Sequence, residues 1–136
     1  LASLRIGFAT GHADVIDRVT RVTGPYDINS VAVAVAFPAL ADQSYVDAYV
    51  AEVLRARDWT VEALRQADVR HHCDGGNYLL IWPRRSVEEI DAALRSDGIL
   101  IRSMAGKPLI DGCFRVSIGT TSQMQRFVEA YLSIDP

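Results

Sequence analysis

Two arginines in the second half of the chain lie inside apolar segments that have the pattern of β-strands. Arg102 ends the run GILIR, and Arg115 lies within the run CFRVS. An arginine is seldom buried without a partner, and its planar fork of donors suits two-point binding of carboxylate or phosphate. The pair therefore predicts a pocket for an anionic ligand at the edges of one small sheet. Two edge-strand arginines that face water would give the same pattern, and spacing alone leaves both interpretations open.

Other residues with catalytic or ligand chemistry are few. Lys107 is the only lysine among the 14 basic residues, and we interpret it as a solvated loop residue beside Pro108. His71 and His72 precede Cys73, but adjacent side chains of a strand point to opposite faces. No second cluster completes a set of four metal ligands. The sequence therefore predicts no metal site.

The composition bounds the class of protein. With 136 residues, 49% hydrophobic and 23% charged, the chain has the composition of one globular domain, or of one domain with an appendage from another. A net charge of -3 without a basic run gives no reason to expect a nucleic-acid partner. No apolar run is long enough for a membrane span or a secretory signal. We interpret Cys73 and Cys113 as reduced thiols, and the expected location is the cytoplasm.

Apolar periodicity and capping residues predict the elements that must position the arginines. Asn29 or Ser30 can cap a helix that Pro38 should kink or end, while Ser86 and Thr120 begin capping boxes. The predicted strands cover residues 4–9, 69–73, 78–82, 100–103 and 113–118. The predicted helices cover residues 12–23, 30–41, 43–67 and 87–96, with a last helix after Thr120.

This order predicts a small α+β unit from residue 69 onward, with helices on one face of a short, mostly antiparallel sheet. The strand at 4–9 has no partner in that unit. We expect it to belong to a larger sheet formed with sequence before Leu1. The helix at 30–41 is almost wholly apolar, so we expect it to be buried on most sides.

Five segments resemble a known family in the correct order: SLRIGF, GPYDINSVAVAVAFPAL, GGNYLLIW, GILIRSM and GCFRVSIGT. They are similar to landmarks in the C-terminal third of histidinol-phosphate aminotransferases, which are pyridoxal-phosphate enzymes of the α/β fold-type I class. The step of 13 residues from Arg102 to Arg115 fits the two-arginine pattern of that family. The resemblance implies three parts: residues 1–41 as the end of the large cofactor-binding domain, 42–68 as a long interdomain helix, and 69–136 as the small C-terminal domain.

The resemblance also implies roles for single residues. Arg5 corresponds to the arginine that holds the phosphate of the cofactor. Arg115 corresponds to the arginine that binds the substrate carboxylate, and Arg102 to the one that binds the substrate's own phosphate. Asn29 and Asn77 match asparagines near the family's substrate site.

The implied activity is transamination of a phosphorylated amino compound, with L-histidinol phosphate and 2-oxoglutarate as the expected pair, in histidine biosynthesis. The implied cofactor is pyridoxal 5'-phosphate, and the implied assembly is a homodimer. The family's Schiff-base lysine lies a few residues before SLRIGF and would fall upstream of Leu1. We therefore predict no catalytic residue in this chain and no activity for it alone. A threonine-phosphate decarboxylase-like enzyme and a non-catalytic, stand-alone small domain remain as alternatives.

Overall fold

The computed structural model describes residues 4–24 and 28–136. The chain forms two compact units, Leu1–Asp47 and Ala48–Pro136. The helices are α1 (Ala13–Thr20), α2 (Ser30–Ala41), α3 (Gln43–Gln66), α4 (Val87–Ser96) and α5 (Thr121–Ile134). The strands are β1 (Arg70–His72), β2 (Tyr78–Trp82), β3 (Arg102–Ser103) and β4 (Phe114–Ser117).

The prediction of a strand at residues 4–9 is wrong. Residues 5–10 have no regular secondary structure, and Arg5 has a φ of 54°. A strand persists only where a neighbouring strand accepts and donates its backbone hydrogen bonds, and no described residue pairs with this segment. The Leu4 carbonyl instead accepts a hydrogen bond of 3.3 Å from Nδ2 of Asn29. An apolar pattern without a pairing partner is therefore not sufficient for a strand.

Helix α2 has the predicted bounds but not the predicted burial. Asn29 caps it, because its Oδ1 accepts a hydrogen bond of 2.7 Å from the backbone N–H of Ala32. Pro38 does not end the helix, which continues to its predicted last residue. Among the described residues of α2 only Ala32 is buried, while Phe37 and Leu40 are 71% and 69% exposed. Within the described residues, the apolar surface of α2 is thus largely uncovered.

Side-chain caps account for the starts of the other capped helices. The ring of His12 caps α1, which ends three residues before its predicted end. Ser86 caps α4 through a hydrogen bond to the third helical residue, which is one half of the predicted capping box. Thr120 and Gln123 form the complete box at α5. Gly98 has a φ of 72°, a conformation that suits glycine, and it follows α4 as the predicted stop.

The second unit contains a sheet of four strands in the order β1-β2-β4-β3, and every neighbouring pair is antiparallel. This confirms the predicted antiparallel sheet. Strands β1, β3 and β4 are shorter than their apolar patterns predicted, because ladder hydrogen bonds, which depend on the neighbouring strand, determine where a strand ends. Strand β2 pairs on both sides and has its predicted bounds.

One face of the sheet forms the core with the helices, as predicted. Phe114 of β4 packs edge-on against Phe127 and Tyr131 of α5, with ring centres 6.4 and 5.7 Å apart. Such pairs add to the stabilisation from apolar burial. The buried core residues are Ala56, Leu64, Val69, Leu79, Ile81, Val87, Ile90, Leu94, Phe114, Val116, Ile118, Met124, Phe127, Val128 and Tyr131.

A buried carboxylate joins the end of α5 to the loop after β2. Asp135 is 2% exposed and accepts hydrogen bonds from the backbone N–H groups of Arg84 and Arg85 at 2.9 and 3.1 Å. It also accepts one from the hydroxyl of Tyr131 at 2.8 Å. Burial alone would raise the pKa of Asp135, but these three donors outweigh it and hold the pKa below its usual value. Burial and the Asp135 carboxylate raise the pKa of Tyr131, so its hydroxyl stays protonated and donates.

A second carboxylate joins α3 to α5. Glu52 accepts a hydrogen bond of 2.8 Å from the backbone N–H of Thr121, the first residue of α5. Helix N-termini present unpaired N–H groups and a partial positive charge that favour an anion. This backbone bond, together with Arg55, lowers the pKa of Glu52 to about 2.

Candidate functional site

The face of the sheet opposite the core, which we call the open face, carries both arginines of the predicted anion pocket. Phe114 and Val116 of β4 are buried in the core, so Arg115 between them points to the other face. Arg115 pairs with Leu80 of β2 on one side and with Arg102 of β3 on the other. The two arginines are therefore cross-strand partners on one face. Arg102 lies on an edge strand as predicted, whereas Arg115 lies on an inner strand.

Among the described residues, the two guanidinium groups have no acidic partner. In residues 4–24 and 28–136, no carboxylate forms an ion pair with Arg102 or Arg115, although five other arginines pair with aspartate or glutamate. Like charges directly opposite each other on neighbouring strands destabilise a sheet. An anion placed between them would remove that repulsion and accept their hydrogen bonds. The arrangement is thus suited to carboxylate or phosphate.

Two arginines on this face, Arg115 and Arg70, each lie near an aromatic ring, a feature that the sequence did not predict. The guanidinium carbon of Arg115 lies 5.4 Å from the ring centre of Tyr78, and that of Arg70 lies 4.6 Å from the ring of Trp82. Both distances are in the range of cation–π contacts. The alternation in the run YLLIW places Tyr78 and Trp82 on the same face, but only the strand register shows which arginine each one meets.

The structure places Asn77, a predicted substrate residue, at the turn before β2. It precedes β2, its carbonyl accepts a hydrogen bond of 2.8 Å from Ile118, and it lines a cleft of about 350 Å³ beside α3. Neither Arg102 nor Arg115 lines that cleft. Its lining residues are Tyr49, Val50, Val53, Leu54, Arg57, Gly75, Gly76 and Asn77.

Arg5 and Asn29, the other two predicted site residues, belong to the first unit. Arg5 is exposed, and no described carboxylate forms an ion pair with it. Asn29 uses its Oδ1 to cap α2 and its Nδ2 to bind the carbonyl of Leu4, the residue before Arg5. Both polar atoms of Asn29 are thus engaged within the chain, so the structure gives it the role of holding the backbone next to Arg5.

The remaining polar candidates show no catalytic arrangement. Lys107 is exposed in the segment between β3 and β4. Burial raises the pKa of the thiols of Cys73 and Cys113, which keeps them protonated and poor nucleophiles. No group of three or more potential ligand side chains within the described ranges could hold a metal ion. Every helix in the same ranges is too short or too polar to cross a bilayer.

A model of the family "aminotransferase class I and II" matches residues 1–130. The chain belongs to this family. A histidinol-phosphate aminotransferase of Rhodospirillum rubrum is 36% identical to it over 135 residues, which cover 96% of this chain and 36% of that enzyme. The chain therefore spans just over a third of the length of this aminotransferase relative.

Solved structures show the same fold. A putative histidinol-phosphate aminotransferase of Erwinia carotovora atroseptica superposes with a TM-score of 0.84 at 22% identity, over 98% of this chain and 38% of that one. The enzyme of Sinorhizobium meliloti, solved in complex with pyridoxal-5'-phosphate, gives 0.72 at 20% identity over 89% and 34%. L-threonine-O-3-phosphate decarboxylase of Porphyromonas gingivalis gives 0.68 at 19% identity over 90% and 39%. The aminotransferase chain thus has the fold-type I architecture of pyridoxal-phosphate enzymes, as predicted.

Proposed function

We propose that this chain is the C-terminal portion of a pyridoxal-phosphate-dependent aminotransferase that converts L-histidinol phosphate with 2-oxoglutarate as amino acceptor. The observation that carries the proposal is the Arg102–Arg115 pair on the open face of the sheet, which has no described carboxylate partner. The identity to a histidinol-phosphate aminotransferase supports the choice of substrate. We also propose that the enzyme is a cytoplasmic homodimer in histidine biosynthesis.

The proposal divides the chain into three parts. Residues 1–41 form the end of the large cofactor-binding domain, 42–68 form the interdomain helix, and 69–136 form the small domain. The compact core of the second unit supports the last assignment, since strands β1–β4 and helices α4 and α5 all lie within 69–136. The uncovered apolar surface of α2 supports the first, because such a helix is stable where another domain covers it.

The two arginines bind anions that arrive in different half-reactions. L-Histidinol phosphate carries a phosphate ester and no carboxylate, whereas glutamate and 2-oxoglutarate carry carboxylates and no phosphate. Arg102 and Arg115 are directly opposite each other on neighbouring strands. Both side chains can therefore contact the same anion. In our proposal Arg115 binds the carboxylate of one substrate and assists with the phosphate of the other, while Arg102 chiefly binds the phosphate. Fixing the anion orients the bond that must break at the amino-bearing carbon.

The donor set of the first unit fits the phosphate of pyridoxal 5'-phosphate. Arg5 offers an exposed guanidinium without a described carboxylate partner, and Asn29 holds the backbone beside it through the hydrogen bond to Leu4. When bound, the cofactor supplies an electron sink for the reacting carbon. This chain's contribution is then to bind the cofactor phosphate with Arg5 and to hold the substrate anions with Arg102 and Arg115. Asn29 acts through Arg5, and Asn77 contributes from the cleft beside α3.

A second candidate has one specific observation in its favour. The fold matches that of L-threonine-O-3-phosphate decarboxylase, whose substrate carries a phosphate and a carboxylate on one molecule. Two adjacent arginines could bind both groups at once. The products separate the two reactions, because decarboxylation releases carbon dioxide while transamination passes the amino group to the oxo acid.

The deciding experiment uses the full-length protein that contains this chain, purified with pyridoxal 5'-phosphate. We expect a visible absorption band that bleaches with L-histidinol phosphate and returns with 2-oxoglutarate, together with formation of glutamate. A band whose absorbance does not change when L-histidinol phosphate is added would reject this substrate. Release of carbon dioxide from L-threonine phosphate would favour the decarboxylase. Absence of any cofactor band would favour a non-catalytic domain.

A further inference from the structure

Tyr78 occupies a specific place beside the proposed anion site. It lies on β2 opposite Ser117 of β4, which makes it the diagonal neighbour of Arg115 on the open face. The guanidinium carbon of Arg115 is 5.4 Å from the centre of the Tyr78 ring. Tyr78 is 40% exposed and is not one of the buried core residues. Its position is therefore not explained by packing in the core.

The turn before β2 leaves space for this ring. A Cβ added to Gly76 would lie 2.8 Å from Cε1 and 3.1 Å from Cδ1 of Tyr78, which is closer than van der Waals contact allows. Gly76 does not have a left-handed φ, unlike Gly75 at 64°. The reason for a glycine at 76 is thus the approach of the Tyr78 ring and not the backbone conformation. The ring lies against Gly76 as well as near the Arg115 guanidinium.

The positive charge of Arg102 explains why the Arg115 guanidinium needs the contact with the Tyr78 ring. Arg102 is directly opposite Arg115, so each guanidinium repels the other whenever no anion is bound. An aromatic face attracts a guanidinium through its quadrupole and restricts its rotation. A side chain held in place before binding loses less entropy when the anion arrives.

We propose that Tyr78 is a positioning residue, which holds the guanidinium of Arg115 over the open face of the sheet so that it meets the substrate anion. Gly76 permits this by leaving room for the ring. The inference rests on the proposed function in assigning Arg115 to a substrate anion. It concerns the ring of Tyr78, since cation–π attraction needs the aromatic face and not the hydroxyl.

Steady-state kinetics of the full-length enzyme test the role of the ring. We expect Tyr78→Leu to raise KM for L-histidinol phosphate and for glutamate by about 2- to 30-fold with little change in kcat, the range that corresponds to loss of a cation–π contact. Tyr78→Phe keeps the ring and should stay within about 2-fold of the wild type. Trp82→Leu removes the other ring–guanidinium pair on this face and should leave KM unchanged. Unchanged KM in Tyr78→Leu, or equal losses in the Phe and Leu variants, would overturn the proposal.

Gly76→Ala provides a coupled test. The added methyl group should displace the ring and raise KM in the same direction as Tyr78→Leu. Combined with Tyr78→Leu it should add little, because the contact is then already lost. If the increases in KM from the two substitutions multiply in the double variant, Gly76 does not act through the Tyr78 ring. That result would overturn the role inferred for Gly76.

A measurement that does not depend on enzymatic turnover tests this inference separately from the proposed function. In NMR spectra of the full-length protein, the Nε–Hε resonance of Arg115 should show a ring-current shift that Tyr78→Leu abolishes and Tyr78→Phe retains. Titration with inorganic phosphate should show weaker binding in the Leu variant alone. If the wild-type enzyme does not transaminate but these differences persist, the proposed function fails and the role of Tyr78 stands. If the resonance and the phosphate affinity are the same in all three proteins, the role of Tyr78 is rejected.

Discussion

At Arg102 and Arg115, two like charges stand opposite each other on neighbouring strands. This costs free energy in the absence of a ligand, which is typical of a site arranged for binding and not for stability alone. Both residue types and their spacing are visible in the sequence. The contact of Arg115 with Tyr78 is not, because it depends on which strands become neighbours: β4 lies between β2 and β3, an order that the chain sequence does not show.

Alanine substitutions of the two arginines should have different effects. Arg102→Ala should raise KM chiefly for L-histidinol phosphate, because phosphate is its proposed anion. Arg115→Ala should raise KM for L-histidinol phosphate and glutamate alike. A hydrogen bond to a charged group contributes about 1.5 to 3 kcal/mol, so each affected KM should rise roughly 10- to 150-fold. Steady-state kinetics with both substrates measure this.

A matched control for this pair is Arg95→Ala, which removes an exposed arginine that already pairs with Asp91 on α4. It should change neither KM, which rules out a general effect of net charge. Equal losses for both substrates in Arg102→Ala would contradict the phosphate role. Arg115→Lys should recover little, since an ammonium group lacks the two-point geometry of guanidinium.

At the scale of elements, hydrogen bonds to two carboxylates stabilise helix α5 at its two ends. Glu52 binds the first turn of α5, and Asp135 holds the last turn against the loop after β2. Helix α5 carries Phe127 and Tyr131, which pack on Phe114 of β4 next to Arg115. These two contacts therefore stabilise the strand that presents Arg115.

The contact of Glu52 makes stability depend on pH in the acid range. Its pKa lies at about 2 in the folded chain against 4.5 without the contact. The carboxylate is thus favoured by folding, and its stabilisation is complete above about pH 4.5 and is lost as the pH falls towards 2. Glu52→Gln should flatten the loss of stability across this window, as measured by urea unfolding at several pH values. Glu88→Gln on the exposed side of α4 is the charge control, and an equal flattening there would contradict the assignment.

Asp135 should contribute more to stability than its terminal position indicates. Asp135→Asn keeps one acceptor oxygen but places an NH₂ group against a second backbone donor, which leaves a buried polar group unpaired and should cost about 1 to 3 kcal/mol. Tyr131→Phe removes a single hydroxyl from the same cluster and should cost about 1 kcal/mol. Urea unfolding at neutral pH measures both. An Asn variant as stable as the wild type would show that the cluster does not fasten α5.

The sequence predicts an element accurately where local chemistry determines it. Helices α2 and α4 have their predicted bounds because Asn29 and Ser86 cap them within their own turn. The sequence does not predict an element accurately where a neighbouring strand determines its ends, as for β3, β4 and the segment at 4–9. Helical hydrogen bonds form within one segment, whereas a strand depends on residues distant in the sequence.

At the scale of the whole molecule, the two units differ in how much apolar surface they bury. Ala32 is the only buried residue described in the first unit, while every other buried apolar residue belongs to the second. Burial of apolar surface is the main source of stability. The second unit should therefore be the more stable part of the isolated chain, and local opening should be frequent in the first.

Hydrogen exchange tests this difference and the domain proposal together. In the isolated chain, amides of β2 and β4 should exchange slowest and those of α1 and α2 fastest. Leu79→Ala should lower the protection of the sheet by about 2 to 5 kcal/mol, whereas Phe37→Ala, at a side chain that is 71% exposed, should leave it unchanged. In the full-length enzyme the amides of α2 should become strongly protected, because a helix this apolar is stable where another domain covers it. Rapid exchange of α2 in both proteins would contradict the assignment of residues 1–41 to the large domain.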